Sequence, residues 1–352
     1  MKPFTCTLLA SLALTCQPLA HGQAFLPSPV QFFSTVPANG DLNPYGVATV
    51  PWNFPAGGLL NPGDILVSNF NSSQNLQGTG TTIVQITGGQ QQLFYQAGGT
   101  VSGLSGVLAV LSSGYVVVGA FPTADGTCAT AGAGSLVILD KNANVVLNWT
   151  AAAMINGPWG MAVDDEGEFV RLFVSNVLNA TVVRIDLWTL HGAPNIQSVV
   201  QIASGYSWRC DPAALVVGPA GLAYNKATGV LYVASTEDNG IYAVSNAGQT
   251  TSDQGKGTLI YSDTTHLHGA LEMTTAPNGD LLVSNSDVVN SDPTQPSEIV
   301  EFTTAGQFVK QLSVNPNQGA SFGIEAVAVN GSERLSAVDD SANGLYVWTI
   351  PQ

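Results

Sequence analysis

Six copies of one two-part unit run along this chain, and that repetition constrains the fold more than any other feature. The clearest copies read LYVASTEDNGIY at 231–242 and LSAVDDSANGLY at 335–346. Each is an apolar β-type run, a polar turn ending in Asn-Gly, and a second run. Related runs are ILVSNFN at 65–71, LFVSNVLN at 172–179 and LLVSNSD at 281–287, with YVVVGAF at 115–121 as a degenerate copy. A second element precedes each run: PYGVA at 44–48, LSGVL at 104–108, PWGMA at 158–162 and PAGLA at 219–223. HGALE at 268–272 and IEAVA at 324–328 are weaker versions. Aligned on Ser68, Gly119, Ser175, Ser235, Ser284 and Asp339, the copies recur at roughly 50–60 residues, the spacing of four-stranded units.

In the fourth unit the segments are 221–224, 230–234, 240–244 and 258–261, punctuated by the Gly, Asn and Asp of hairpins. One four-stranded sheet has two apolar faces and cannot bury both alone; stacking the units around an axis buries them. The spacing therefore predicts an all-β chain, a six-bladed β-propeller with four-stranded antiparallel blades, in place of a sandwich or β-helix. Blades are expected near 43–98, 103–153, 156–204, 218–263, 268–314 and 322–350. Gly160, Ala162, Gly221 and Ala223 keep the inner strands thin where blades crowd the axis. The sixth unit stops in its third strand, while 28–36 (SPVQFFSTV) is a strand without a unit of its own. Adding it to blade six closes the ring and removes an open sheet edge.

Charged residues make up only 9% of the 352 residues, and 24 acidic side chains oppose nine basic ones for a net charge of -15. With no basic stripe, nucleic acid is excluded as a partner. Residues 1–22 read as a cleavable signal peptide: Lys2, an apolar stretch from Phe4 to Thr15, and small residues near Ala20 and Gly22. The expected product, 23–352, is a single secreted or periplasmic domain. After the leader no apolar run approaches the ~20 residues of a spanning helix. Cys6 and Cys16 leave with the leader, so Cys128 and Cys210 can form only one disulfide.

The pairing of PxGφA with a later φ(Y/F)VSNxxN resembles the NHL-repeat propellers, within a wider six-bladed group that includes gluconolactonase-like and virginiamycin-lyase-like proteins. The resemblance spans about Asn43 to Ile350. It implies that the inter-blade loops and the loops after the second strands share one ligand-binding face. It also implies activities ranging from scaffolding to lactone hydrolysis. Gluconolactonase-like proteins hold an axial divalent cation with a Glu of blade one and later Asn or Asp. Here blade one has Tyr45 at that rim, and only blade six offers a Glu, Glu325. The lyase-like proteins use a His with a nearby Glu, which His268 and Glu272 could imitate.

The residues themselves leave two readings at each candidate. Asn69, Asn176, Asn239 and Asn285 either brace turns through their side chains or converge on the axial mouth as oxygen donors. Glu237, Asp287, Glu325 and Asp339, with Asp340 beside them, are either a solvated acidic rim or ligands for Ca²⁺ or another divalent cation. His268, Glu325 and Tyr45, from blades five, six and one, could form an acid/base cluster, or His268 is a hydrogen-bonded loop residue. Tyr45, Trp159 and Trp208 are either a platform for sugar or peptide or a plug in the funnel. No nucleophile elbow, zinc or phosphate-loop motif occurs. The expected function is therefore a binding module that presents one face to an extracellular or envelope glycan, peptide or protein. The alternative is a metal-assisted hydrolase or lyase.

Overall fold

The computed structural model describes residues 30–351 apart from 100, 152, 191–192, 320 and 330. The leader reading at 1–22, with Cys6 and Cys16, lies outside the described residues. Within them the chain forms six four-stranded antiparallel sheets. Blade one is Leu42–Thr49, Ile65–Asn71, Thr82–Thr87 and Gln90–Gln96. Blade two is Leu104–Leu111, Tyr115–Ala120, Ser135–Asp140 and Val145–Trp149. Blade three is Pro158–Asp165, Phe169–Asn176, Thr181–Trp188 and Asn195–Ser204. Blade four is Pro219–Asn225, Val230–Ser235, Gly240–Val244 and Thr258–Tyr261. Blade five is Ala270–Thr275, Leu281–Asn285, Glu298–Phe302 and Phe308–Ser313. Blade six is Ser321–Val329, Ser332–Asp339 and Gly344–Pro351, with Val30–Ser34 as its outermost strand. Val30 lies opposite Trp348 and Ser34 opposite Gly344.

The ring closes because each inner strand packs against two others, blade six against both five and one. Six apolar clusters fill the spaces between neighbouring blades, and a seventh sits on the axis. In blade one the whole second strand, Ile65–Asn71, is buried, as a sheet covered on both faces requires. Each Leu or Val so enclosed contributes roughly 1.5–3 kcal/mol relative to exposure. At Gly160 a side chain is excluded: a Cβ there would lie 2.4 Å from the carbonyl oxygen of Ala220.

The strand register corrects the alignment of the repeat. The residue that opens the repeat marker on each inner strand faces a fixed point near the end of the second: Pro44 opposite Asn69, Leu104 opposite Ala120, Pro158 opposite Asn176. Pro219 faces Ser235, Ala270 faces Asn285 and Ser321 faces Asp339. Ser235 and Asp339 are thus level with Asn69, one residue beyond Ser68. The inner strands of blades five and six slip further. Glu272, not Ala270, occupies the place of Gly46, and Phe322, not Glu325, occupies that of Tyr45. Those two blades lack the Pro-x-Gly marker, so a shifted apolar run matched in its place.

Odd and even blades differ. Ser68, Ser175 and Ser284 of blades one, three and five donate to the carbonyls of Ser105, Ala220 and Phe322 in the following blades, at 2.9, 2.6 and 2.7 Å. The even blades carry Gly119, Ala234 and Val338 there. The ring is built as three pairs, each pair tied by a buried hydroxyl.

Candidate functional site

The loops after the second strands and before the inner strands meet at one end of the axis and enclose a cup of about 390 Å³. Its floor is aromatic. Tyr45, Trp159, Leu271 and Phe322 occupy equivalent places on their inner strands, each just before the axial glycine position, and Phe70 and Phe121 join them from second-strand ends. Tyr45 lies 5.1 Å from Trp159 and 5.1 Å from Phe322, and Trp159 stands edge-on to Phe70 and Phe121 at 5.4 Å. Tyr45 and Trp159 therefore plug the funnel, while their remaining surface forms the cup floor. Trp208 is exposed outside the cup.

One wall is a hairpin inserted between blades three and four, Arg209–Asp211 and Leu215–Val217. Cys210 in its first strand is bonded to Cys128 in the long blade-two loop, across 82 residues. Asp211 accepts the backbone N–H groups of Ala213 and Ala214 at 2.8 and 2.9 Å and pairs with Arg209, which also binds Glu237 at 2.8 Å. Gln77 of blade one donates to the Ala213 carbonyl at 2.7 Å. The disulfide and these polar contacts hold the hairpin over the cup.

The opposite wall is polar and unsatisfied. Asn43 Oδ1, Asn71 Oδ1, Asp287 Oδ1 and Asp340 Oδ1 are buried with no protein partner, and all four residues line the cup. Asp287 is held by its other oxygen, which accepts from the N–H groups of Ser297 and Gly319 at 3.1 and 3.0 Å. Burial raises the Asp287 carboxyl above the usual range. Burial, reinforced by Asp339, pushes Asp340 up to about 7. Behind Asp287, His268 Nε2 lies 3.6 Å from Glu298 Oε1, both side chains enclosed. Burial raises Glu298 to about 7.

The sequence candidates divide accordingly. Tyr45, Trp159, Asp287 and Asp340 reach the cup. Asn69, Asn176, Asn239 and Asn285 do not: their amides bind backbone, for instance Asn69 to the Thr35 carbonyl at 3.1 Å and Asn239 to that of Leu267 at 2.9 Å. Asn176 and Asn285 accept from the N–H groups of Asn156 and His268, both at 3.0 Å. These four brace the entry to inner strands. Glu237 is taken by Arg209, and Asp339 by the Asn315 amide at 2.7 Å. Glu325 lies in the channel on the other side of the plug, where Thr49 donates to it from nitrogen at 3.0 Å and oxygen at 2.5 Å. The expected cluster of His268, Glu325 and Tyr45 is thus not assembled, because Glu325 sits three residues deeper than the rim position. Nor do Glu237, Asp287, Glu325 and Asp339 converge: among the described residues no three His, Cys, Asp or Glu side chains are placed to hold a metal. Asn43 and Glu298 went unrecognised, since neither stands in a motif and only the folded ring sets them beside the cup and His268.

The chain is a six-bladed β-propeller. Solved structures share that fold over nearly its whole length. A gluconolactonase from Xanthomonas campestris matches with a TM-score of 0.55 at 15% identity, covering 90% of this chain and 89% of that one. A Thermus thermophilus protein titled an oxidoreductase (glucose dehydrogenase) matches with a TM-score of 0.54 at 12% identity, covering 92% and 100%. Regucalcin from Agrobacterium tumefaciens, titled a calcium-binding protein, matches with a TM-score of 0.52 at 11% identity, covering 91% and 96%. At these identities the likeness is one of fold. No protein-family model matches the propeller, and no curated protein does.

Proposed function

We propose that this protein is an exported binding propeller whose cup takes a hydroxyl-rich ligand, a sugar unit of an extracellular or envelope glycan. One observation carries the reading: four buried acceptor oxygens without donors stand over an aromatic floor. A buried acceptor left unpaired costs about 1–3 kcal/mol, so a ligand rich in O–H donors recovers that energy on binding. The C–H face of a sugar ring suits the aromatic floor. The NHL-like repeat supports a binding role. The leader-like N-terminus and the Cys128–Cys210 bond support export into an oxidising compartment. The test is glycan-array screening followed by titration calorimetry with the best sugar. Asp340→Asn and Asn71→Ala should each weaken binding about tenfold or more, as loss of a buried hydrogen bond does. A sugar bound with unchanged affinity by both variants would place the ligand elsewhere and defeat the proposal.

A second reading rests on the same oxygens. Two carboxylate and two amide oxygens are the hard donors that Ca²⁺ prefers. A cation bound there would supply Lewis-acid polarisation for a hydrolase or lyase, as in the alternative drawn from the sequence. Equilibrium dialysis against Ca²⁺, compared with Asp287→Asn, separates the two: metal lost on that substitution favours the catalytic reading.

A further inference from the structure

On the face opposite the cup the inner strands surround a second cavity of about 420 Å³, running up the axis to the aromatic plug. Its inner end holds an anomaly in the repeat. The third residue of the inner-strand motif is Gly46, Gly106, Gly160, Gly221 and Gly323 in five blades, and Glu272 in blade five. The Glu272 side chain crosses the axis into space the glycines leave. A Cβ on Gly106 would lie 2.3 Å from Glu272 Oε1, so the carboxyl fills the space that this glycine leaves. Glu272 is 6% exposed, and its Oε1 has no protein partner.

The other carboxylates of this cavity are engaged. Asp165 accepts from the Ser112 N–H at 2.6 Å and hydroxyl at 3.0 Å, and Glu325 is held by Thr49. Glu272, whose carboxyl is stabilised by the Met273 backbone N–H, alone ends the channel with one oxygen, Oε1, left without a partner. Five blades carry glycine at this position, so the carboxyl is the one departure from the packing pattern. We propose that this axial channel is a binding site for a single cationic group, seated on Glu272 and reached from the face opposite the cup. The cation is a metal ion or a protonated amine; both present one positive centre to Oε1.

Burial raises the Glu272 carboxyl to about 8, so near neutrality a bound cation displaces its proton. The titratable groups facing it are Tyr45 from the plug and Asp165, Tyr224 and Glu325 along the channel. Affinity should accordingly rise by up to about tenfold per pH unit below 8 and level off above.

The test is calorimetry and thermal unfolding of the mature chain with CaCl₂ and, separately, methylammonium chloride at constant ionic strength. The wild type should bind at least one of them and unfold at higher temperature, with affinity falling from pH 8 to pH 6. Glu272→Gln, which keeps shape and loses charge, and Glu272→Gly, which copies the other blades, should both lose the effect. Leu259→Ala, exposed on the outer strand of blade four and away from both cavities, should keep it. A shift with calcium alone assigns a metal ion, and one with methylammonium alone assigns an amine. No binding of either probe by the wild type, or the same binding by folded Glu272→Gln, would overturn the assignment. Sugar binding in the cup is measured independently, so failure here leaves that reading untouched.

Discussion

Tyr45 of blade one meets Trp159 of blade three edge-on, ring centroids 5.1 Å apart, across the width of the axis. Blade two lies between them in the ring but contributes only Ser105 at the matching level, and blade four only Ala220. With no large side chain between them, the two rings reach one another and, with Phe322 of blade six, close the funnel. Cup and channel become two compartments divided by one layer of rings.

Removing a ring from that layer should be costly. Trp159→Ala should lower stability by about 3–5 kcal/mol, the usual range for a buried Trp truncation. Urea unfolding monitored by circular dichroism measures it. Trp159→Phe, which keeps an edge toward Phe70 and Phe121, should lose much less. Equal losses in the two variants would mean that the layer does not depend on interlocked rings.

Stability should fall as pH rises from 5 to 8.5. Asp340 and Glu298 are raised to about 7 and Glu272 to about 8, in each case chiefly by burial. The folded state thus holds protons that the unfolded chain releases near pH 4. Between those values folding binds protons, so its free energy weakens with each pH step until the folded groups ionise. Asp263, lowered to about 2 by its tyrosine, histidine and backbone partners, makes its contribution at every pH in this range and does not offset the trend. Thermal unfolding at low salt should show a higher Tm at pH 5 than at pH 8.5, with a shallower slope in Asp340→Asn. A Tm that climbs across the interval would contradict these protonation states.

Breaking the Cys128–Cys210 bond should destabilise both the fold and the cup wall. Closing a loop of 82 residues is worth roughly 4 kcal/mol in the chain-entropy model. The double variant Cys128→Ser, Cys210→Ser should show a reduced Tm, with hydrogen exchange accelerated first in 208–217. Uniform acceleration across all blades would indicate that the bond braces the ring and not the hairpin.

Starting the chain at residue 35 should open blade six. Without Val30–Ser34 the strand Gly344–Pro351 becomes an edge with unpaired backbone groups. Size-exclusion chromatography should then show self-association, and Tm should drop. A monomeric, equally stable truncation would mean that blade six stands without its outer strand.

Much of this was legible in the linear chain. The Asn-Gly turns, the VSN runs and the PxG markers defined blade number and strand positions, because each blade must solve the same packing problem with the same few residue types. The leftover segment at 28–36 pointed to closure for the same reason. Where the markers weaken, in blades five and six, the repeat is out of step with the strand register, and Phe322, not Glu325, occupies the rim.

What the sequence determined by itself was therefore the local and the periodic: strands, turns and six units. What only the tertiary structure decided was which side chains from distant units share a space. Asn43, Asn71, Asp287 and Asp340 meet because the ring brings blades one, five and six together, though nearly 300 residues separate Asn43 from Asp340. Glu272 gains its character from five glycines on other strands. Burial and orphaned acceptors are properties of a closed surface, and no stretch of chain read alone contains them.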